Sequence, residues 1–345
     1  MKALRRNSRT PRDASLHEMP PPQPGPREVL LKTAHCGICG SDLHAWLSHP
    51  GSENFPAQFT FGHEFSGEVV EIGCEVGKWK PGDRAVAVSV QGCHDDGCHY
   101  CGIGYQQLCP RRRIIGIHLD GGMAEYVVVR ASCLVAVEEG TDMMAAALTE
   151  PLSVAEHCVT DCSDVAEGDL VVVTGPGIIG LLCAIVARLK GATVVVTGVA
   201  SDAKLRLPAA EAMGFDVMTT GPGCETLAAQ AAQRYGRLFD RQIEASGSAE
   251  ALVAGLDALR PLGSATVVGL FAEHVPLDLT ALVRRQVTIR TSYVSDLPNY
   301  QRALEIIRDG HVPADRLVRL YDLHDGLQAF ADAANKAVIK PVLVC

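Results

Sequence analysis

Hydrophobic and polar positions alternate along the first 150 residues with the period of β-strands. The clearest runs are EVLLKTAH from Glu28, SGEVVEIG from Ser66, RAVAVSV from Arg84 and AEYVVVR from Ala124. Segments rich in Pro, Gly and Asp separate these runs, as in PPPQPGP from Pro20 and VGKWKPGD from Val76, and such segments are typical of turns. The pattern predicts a turn-rich, partly antiparallel β domain.

After Glu150 the pattern changes to short apolar strands that alternate with amphipathic helices. Strands are predicted at 170–174, 193–197, 216–219, 241–245, 265–270 and 287–291. Helices are predicted at 178–191, 224–236 and 248–263, each closing on a glycine as a C-cap would. Six strands with crossover helices between them predict a doubly wound parallel sheet.

Three further features refine this picture. Pro208 lies inside an otherwise helical stretch and should delay or kink that helix. The apolar stretch 170–189 is long enough to span a membrane, but its internal TGPG indicates a buried strand and helix instead. From about Tyr293 the chain carries a last amphipathic helix, at 299–310, and a closing strand, AVIKPVLVC.

Size, charge and cysteine content narrow the class of protein. A length of 345 residues predicts two domains, and 47% hydrophobic residues with 33 glycines suit a protein of the α/β class. The net charge of −9 argues against nucleic acid as a partner. We interpret the basic run 111–113 as a solvated edge, the alternative being contact with a phosphate or a partner. The odd count of 13 cysteines and the absence of an N-terminal apolar stretch predict free thiols in a cytoplasmic protein, with no membrane association.

A glycine-rich turn follows the first strand of the second half. Gly175, Gly177 and Gly180 stand in GxGxxG register, and Ile178 and Ile179 open the helix within the motif. The first glycine permits a tight turn, the second lets the backbone approach a pyrophosphate, and the third lets the helix pack on the strand. With a strand before it and a helix after it, the motif predicts a dinucleotide site.

The end of the next strand bears on the choice between NAD and NADP. An NAD site places an acid about 20 residues after the motif to hold the ribose hydroxyls, and here that position is Gly198. Ser201, Lys204 and Arg206 follow closely enough to contact a 2′-phosphate. We therefore favour NADP, with NAD as the alternative if Asp202 takes the role of the acid.

Candidate ligands of a catalytic metal come from three separated segments. They are Cys36, Cys39, Ser41, Asp42 and His44 in CGICGSDLH, His63 and Glu64 in GHE, and Glu150 in TEPLSVAEH. Cysteine, histidine and carboxylate ligands with one open position are typical of catalytic zinc. Each residue alone could be a core thiol, a loop histidine or a helix-start acid, but their coincidence with a dinucleotide site favours zinc.

A second candidate metal site lies in GCHDDGCHYCGIGYQQLC. Its cysteines are Cys93, Cys98, Cys101 and Cys109. The last three follow the spacing CxxC and then seven residues to the next cysteine, which suggests a metal, while the first gap is irregular.

Taken together, these segments resemble the zinc-dependent medium-chain dehydrogenases of the alcohol and polyol type. The matching stretches are CGICGSDLH, FGHEFSGEVVEIG, VGKWKPGDRAV, GGMAEYVVV, TEPLSVAEH and VTGPGIIG, spread over nearly the whole chain. The resemblance implies a GroES-like β catalytic domain at 1–152, a Rossmann domain at 153–292, and a return of 293–345 to the catalytic domain. It also implies a homodimer or homotetramer.

The resemblance assigns a role to each candidate residue. It implies a catalytic zinc on Cys39 and His63, with Glu150 as third ligand directly or through water, and Glu64 beside the metal. Asp42 would orient His63. Ser41 would touch the substrate hydroxyl, and His44 would pass the proton to solvent. Cys36 is then not a ligand. The zinc would stabilise an alkoxide, which transfers hydride to the nicotinamide ring.

For the lobe at 92–110 the family pattern implies a structural zinc on four ligands. Cys98, Cys101 and Cys109 fit the last three places. For the first place we favour Cys93 over Asp95 or His94. Four protein ligands close the coordination sphere, which is typical of a structural site.

The segment TEPLSV resembles the sorbitol branch of the family, and this favours a secondary alcohol, a polyol or an amino alcohol as substrate. Aldehyde or formaldehyde oxidation on the same scaffold is a second reading. A non-catalytic binding protein is a third, against which the complete set of candidate zinc residues argues.

Overall fold

A computed structural model describes residues 1–50, 52–53 and 55–345 of the chain. They form two compact units, one of Met1–Ser153 with Ser295–Cys345 and the other of Val154–Val294. The first unit is built mainly of β-strands, whereas the second alternates strands and helices.

The elements of the N-terminal part are short. Its strands are β1 (Lys2–Arg6), β2 (Ala14–Glu18), β3 (Glu28–Gly37), β4 (Phe59–Thr60), β5 (Glu64–Ile72), β6 (Arg84–Ala87), β7 (Val90–Gln91), β8 (Arg113–Ile114), β9 (Tyr126–Arg130) and β10 (Leu134–Ala136). Its helices are α1 (Gly40–Leu47), α2 (His99–Gly102), α3 (Met143–Ala146) and α4 (Thr149–Glu156), with single 3₁₀ turns at Gln106–Leu108 and Ala131–Cys133.

The second unit alternates strand and helix after a π-helical turn at His157–Asp161. Its elements are β11 (Leu170–Thr174), α5 (Ile178–Leu189), β12 (Thr193–Val199), a 3₁₀ turn (Ala200–Lys204), α6 (Arg206–Ala212), β13 (Asp216–Thr220), α7 (Leu227–Tyr235), β14 (Phe239–Glu244), α8 (Ala249–Asp257), β15 (Leu259–Val267), α9 (Leu279–Arg285) and β16 (Thr288–Thr291). The chain then returns to the first unit through α10 (Leu297–Arg308), α11 (Ala314–Leu317), β17 (Val318–Asp322), a 3₁₀ turn (Leu323–Asp325), α12 (Gly326–Ala334) and β18 (Lys340–Val344).

The main sheet of the first unit brings the two ends of the chain together. Its strand order is β10-β6-β5-β3-β18-β17, with β9 also paired to β3. On one side of β3, Gly37 is opposite Glu64 at the start of β5, and on the other side it is opposite Val342 of β18. The C-terminal strand therefore lies beside the segments that carry CGICGSDLH and GHE.

In the second unit, six parallel strands lie in the order β13-β12-β11-β14-β15-β16. The predicted architecture, a partly antiparallel β domain and a doubly wound parallel sheet, is confirmed. Helix α6 begins only at Arg206, with Pro208 in its first turn, where a missing N–H costs no intrahelical hydrogen bond. Among the described residues, no helix is long and apolar enough to cross a membrane.

Two sequence predictions of elements were wrong. The run from Arg84 is two strands in different sheets, because the backbone N–H of Ser89 donates to the hydroxyl of Tyr300 (3.2 Å) instead of a neighbouring strand. The helix predicted at 248–263 ends at Asp257, and the following residues pair with β14 as the start of β15. Helical periodicity continues through this stretch in the sequence, but pairing in the buried sheet decides its conformation.

Candidate metal centres and dinucleotide site

The first candidate centre consists of residues at the N-terminus of α1 and at the start of β5. Cys39 is the N-cap of α1, His63 directly precedes β5, and Glu64 is the first residue of that strand. Their ligand atoms all lie within 4.8 Å of one another, and both His63 and Glu64 are buried. One sulfur, one imidazole nitrogen and one carboxylate oxygen at this separation are donors that zinc accepts, so the residues present fit the metal.

Glu150 lies outside this set of three but is electrostatically coupled to it. It belongs to the first turn of α4, and its Oε1 accepts a hydrogen bond from Ser89 Oγ at 3.3 Å. Burial, opposed by the charge of His63, raises the pKa of Glu150 to about 7. Whether its carboxylate reaches zinc directly or through water stays a prediction.

Asp42 holds the loop that presents the sulfur and faces the imidazole. Its Oδ2 accepts the backbone N–H of Cys39 at 2.9 Å, and its Oδ1 lies 3.7 Å from Nδ1 of His63. A separation of 3.7 Å is an ion-pair distance rather than a hydrogen bond. Burial opposes the charged imidazole, yet Asp42 and Cys39 together raise the pKa of His63 well above its ordinary value.

Ser41 and His44 extend from the buried group toward solvent on the same helix. Ser41 Oγ lies 3.4 Å from His63 Nε2. The His44 side chain is exposed and contacts the ring of His49 edge-on, with centroids 5.2 Å apart. Cys36 is fully buried, and its thiol points to the carbonyl of Gly37 at 3.8 Å.

Sequence reasoning missed Lys340, a buried lysine at the start of β18. Its side chain is 1% exposed, and Nζ donates to the carbonyl of Ile38 at 2.9 Å and forms an ion pair with Glu64. Burial opposes its charge, but Glu64 and Cys39 raise the pKa of Lys340 overall. A single lysine in the otherwise apolar run AVIKPVLVC was the available signal, because a charge in a buried strand needs a partner.

A second group that the sequence did not reveal lies behind Glu150. The hydroxyl of Tyr300 donates to Ser89 Oγ at 3.3 Å, and Ser89 in turn donates to Glu150. Ser153 Oγ donates to the main-chain carbonyl of Glu150 at 2.6 Å and lies 2.7 Å from Ser295 Oγ. Such hydroxyl-rich buried networks fix the orientation of a carboxylate. No local pattern in the sequence points to Tyr300.

The second candidate centre gathers four thiols. Cys93, Cys98, Cys101 and Cys109 have their sulfur atoms within 4.8 Å of one another. The Cys93–Cys101 and Cys98–Cys109 sulfur pairs are 3.9 and 3.8 Å apart. Zinc–sulfur bonds of about 2.3 Å in a tetrahedron give sulfur–sulfur edges of about 3.8 Å, whereas a disulfide is about 2.05 Å. The four thiols therefore fit zinc.

The basic run 111–113 contacts the cysteine lobe. Asp95 forms an ion pair with Arg111, and Arg111 also donates to Cys93 Sγ at 3.3 Å. The neighbouring Arg112 donates to the carbonyl of Cys109 at 3.1 Å. Arg111 and Arg113 are exposed, which agrees with the interpretation of the basic run as a solvated edge, and the run also contacts the cysteine lobe.

The glycine-rich turn has the geometry that a dinucleotide site requires. Gly175 has φ +105°, a conformation that side chains rarely adopt. A Cβ on Gly180 would lie 1.9 Å from the carbonyl oxygen of Gly175, whereas a Cβ on Gly177 would meet nothing within 4 Å. Gly177 caps α5, which begins with the partly exposed Ile178 and Ile179. The open space above Gly177 at the N-terminus of α5 suits a pyrophosphate.

These two glycines predict opposite effects of an added methyl group. Gly180→Ala is expected to destabilise the second unit by about 3 kcal/mol, because the clash is with backbone. Gly177→Ala is expected to leave stability unchanged and to weaken NADPH binding about tenfold, because the methyl occupies the approach of the pyrophosphate. Hydrogen exchange of β11 and α5 measures the first effect and cofactor titration the second. Equal behaviour of the two variants in both measurements would contradict this division of roles.

At the end of β12 the structure places a carboxylate beside the glycine. Asp202 Oδ2 accepts the N–H of Val199 at 3.1 Å and lies 3.1 Å from where a Cβ of Gly198 would be. Asp202 Oδ1 is 3.7 Å from Arg206 Nη1. Ser201 and Lys204 are exposed at the same turn. The turn therefore holds candidate residues both for an NADP 2′-phosphate and for the ribose hydroxyls of NAD.

Comparisons with known proteins agree with this architecture. The model of the alcohol dehydrogenase GroES-like domain matches residues 25–139, and that of the zinc-binding dehydrogenases matches residues 179–309. A sorbitol dehydrogenase of Halalkalibacterium halodurans is 35% identical over 99% of both chains. An L-threonine 3-dehydrogenase of Streptomyces avermitilis is 32% identical over 97% of this chain and 96% of its own. The crystal structure of a putative zinc-binding dehydrogenase from Sinorhizobium meliloti, bound to NADP, superimposes with a TM-score of 0.90 at 30% identity, covering 100% of this chain and 99% of that one.

The fold, the metal-binding residues and these relatives define one class of protein. The chain belongs to the zinc-dependent medium-chain dehydrogenases of the alcohol and polyol type. It is an oxidoreductase that acts on an alcohol or polyol with a nicotinamide cofactor and zinc.

Proposed function

We propose that the protein oxidises a secondary alcohol or polyol at a zinc held by Cys39 and His63, with Glu150 as third ligand and hydride transfer to NADP. The observation that carries the proposal is the group of Cys39 with the buried His63 and Glu64, whose ligand atoms lie within 4.8 Å of one another. The carboxylate of Glu150, which accepts a hydrogen bond from the buried hydroxyl of Ser89, supports the ligand set of the sorbitol branch.

When bound, zinc would lower the pKa of the substrate hydroxyl. Ser41 would relay the proton of that hydroxyl, accepting it while releasing its own, since its Oγ lies beside His63 Nε2 at 3.4 Å. His44, exposed on the next turn of α1, would pass the proton to solvent. Asp42 would keep Nδ1 of His63 facing away from the metal, so that Nε2 is presented to it.

In the lobe at 92–110 the four cysteines would hold a closed, structural zinc. Cys93 is supported as the first ligand by its distance to Cys101, whereas Asp95 is paired with Arg111. His94 has a left-handed backbone (φ +53°) and is absent from the clustered ligand atoms. Donation from Arg111 would stabilise the thiolate of Cys93.

A panel of substrates tests the reaction. The zinc-loaded protein would be assayed with polyols and secondary alcohols, with L-threonine, and with hydrated aldehydes including formaldehyde. The highest kcat/KM on a polyol or secondary alcohol is expected. L-Threonine is the strongest competitor, because several relatives are L-threonine 3-dehydrogenases. A preference for aldehydes would replace the proposal, and absence of any turnover would favour a non-catalytic binding protein.

Preference for NADP is supported by the missing side chain at Gly198 and by the exposed Ser201 and Lys204. Arg206 adds a third group, although Asp202 partly neutralises it. Under the NAD alternative, Asp202 would bind the ribose hydroxyls. An aspartate at position 198 would be a poor test, because its Cβ would lie 2.9 Å from Pro176 Cγ.

Lys204→Ala is expected to weaken NADPH binding about tenfold and to leave NADH binding unchanged, because only NADPH carries the 2′-phosphate. Fluorescence titration of each cofactor measures both constants. Lys190→Ala, at the C-terminal end of α5, is the matched control and should change neither. Tighter binding of NADH than of NADPH to the unaltered protein would refute the NADP preference.

We further propose a homodimer or homotetramer in the cytoplasm. The edge strand β16 of the second unit supports association, because its four residues are all exposed and its outer hydrogen-bonding groups are available. A reducing compartment is supported by the 13 cysteines, each of which is free. Light scattering of the purified protein tests the first proposal and localisation of a tagged chain the second.

A further inference from the structure

A cysteine, a histidine and an aspartate form a connected group in the second unit, apart from both candidate metal centres. Cys162 Sγ lies 3.4 Å from Nε2 of His157. On the other side of the ring, Nδ1 of His157 lies 3.0 Å from Asp161 Oδ2. This sequence of thiol, imidazole and carboxylate is the arrangement that activates a nucleophile.

The π-helical turn creates this group. The backbone N–H of Cys162 donates to the carbonyl of His157 at 3.0 Å, a bond between residues five apart. In an α-helix the neighbour of residue i on the same face is i+4, whereas the wider π turn also brings i+5 over residue i. Asp161 and Cys162 can therefore both reach the same imidazole. π turns of this kind are frequent at functional sites.

The imidazole of this group is buried, whereas its thiol is accessible, as a reactive thiol requires. His157 is 7% exposed, so its ring is held in place, and its two nitrogens are both engaged. Cys162 is partly exposed and lines an open cavity of about 620 Å³. The ion pair of Asp164 with Arg290 lies at the same cavity. A small molecule can reach the sulfur from this side.

We infer that Cys162 is a modification site, a thiol that is activated by the adjoining imidazole of His157 and that hydroperoxides oxidise to a sulfenic acid. The sulfur attacks one peroxide oxygen, an S–O bond forms and the O–O bond breaks. The sulfur is oxidised, the peroxide is reduced, and the departing hydroxide takes the proton of His157 to leave as water. Burial lowers the pKa of His157, but Cys162 and Asp161 outweigh it and raise that pKa to about 9, which agrees with a charged imidazole at neutral pH.

Two exposed cysteines provide a comparison within the same chain. Cys74 and Cys224 are more exposed than Cys162, and among the described residues no hydrogen bond joins either thiol to a histidine. If exposure alone set the rate, both would react before Cys162. An ordinary thiol is about 3% ionised at pH 7, and the gain from ionisation is partly offset by lower nucleophilicity. We therefore expect Cys162 to react about threefold to tenfold faster than either.

The test is made on the zinc-loaded protein at pH 7. Iodoacetamide measures the alkylation rate of each thiol by mass spectrometry, and hydrogen peroxide with dimedone measures sulfenic acid at each position. His157→Gln should lower both rates at Cys162 to or below those of Cys74 and Cys224, because glutamine keeps a hydrogen-bond donor but carries no charge. The rates at the two exposed cysteines should not change.

Asp161→Asn is the second variant, since its side chain is 39% exposed and its replacement is mild. Asp161→Asn should lower the alkylation and oxidation rates at Cys162 by a smaller factor than His157→Gln does. If His157→Gln does not fold, the rates of Asp161→Asn test the inference. The inference is overturned if Cys162 reacts no faster than Cys74 and Cys224. It is equally overturned if both variants leave its rates unchanged.

Discussion

Replacing Cys39 by serine is expected to remove the catalytic zinc and to lower kcat/KM by at least about a thousandfold. A serine hydroxyl is a much weaker zinc ligand than a thiolate at neutral pH, and His63 and a carboxylate alone make a poor site. Zinc supplies several kcal/mol of transition-state stabilisation, and each tenfold change in rate corresponds to about 1.4 kcal/mol. Its loss therefore accounts for a decrease of about a thousandfold. Zinc per chain, measured by mass spectrometry, should fall from two to one.

The neighbouring cysteine is the matched control. Cys36 is three residues earlier and fully buried, but its sulfur is not among the clustered ligand atoms. Cys36→Ser should keep both zinc ions and stay within about tenfold of full activity. Cys93→Ser should also lose one zinc, from the four-cysteine lobe, while it retains the catalytic ion. If Cys39→Ser kept two zinc ions and full activity, the proposed catalytic centre would be wrong.

Replacing Lys340 by methionine is expected to lower the free energy of unfolding of the first unit by about 3–5 kcal/mol. The lysine and Glu64 are 1% and 2% exposed and form a buried ion pair, and removal of one partner leaves the other charge without compensation. The chain has two tryptophans, Trp46 and Trp79, which both lie in this unit. Their fluorescence during urea unfolding therefore reports on this unit.

Two controls separate the lost charge from lost packing. Lys32→Met, on the exposed face of β3, should change stability by less than about 0.5 kcal/mol. The double variant Glu64→Gln with Lys340→Met removes both charges and should recover most of the loss, because no buried charge is left unpaired. All variants are compared at equal zinc content. A double variant as unstable as Lys340→Met would show that packing, not charge, is the cause.

Features determined within a few neighbouring residues could be predicted from the sequence. The GxGxxG turn follows from contacts among residues five apart or less, and the structure shows why glycine is required at Gly180. The alternation of strands and helices in the second half follows from hydrophobic periodicity. The four cysteines of the lobe fall within eighteen residues, so their spacing already suggested a common metal.

Features that depend on the order of strands could not be predicted in this way. Lys340 and Glu64 are 276 residues apart and meet only because β18 and β5 both pair with β3. Ser89 and Tyr300, 211 residues apart, meet behind Glu150. His157 and Cys162 are close in sequence, yet only a π turn brings them into contact. The sequence by itself determined the class of fold and the residue types of the metal centres, because these depend on local periodicity and spacing. Only the tertiary structure decided which buried charges and hydroxyl groups support those centres, because a buried polar group takes its partner from whatever the packed sheet places beside it.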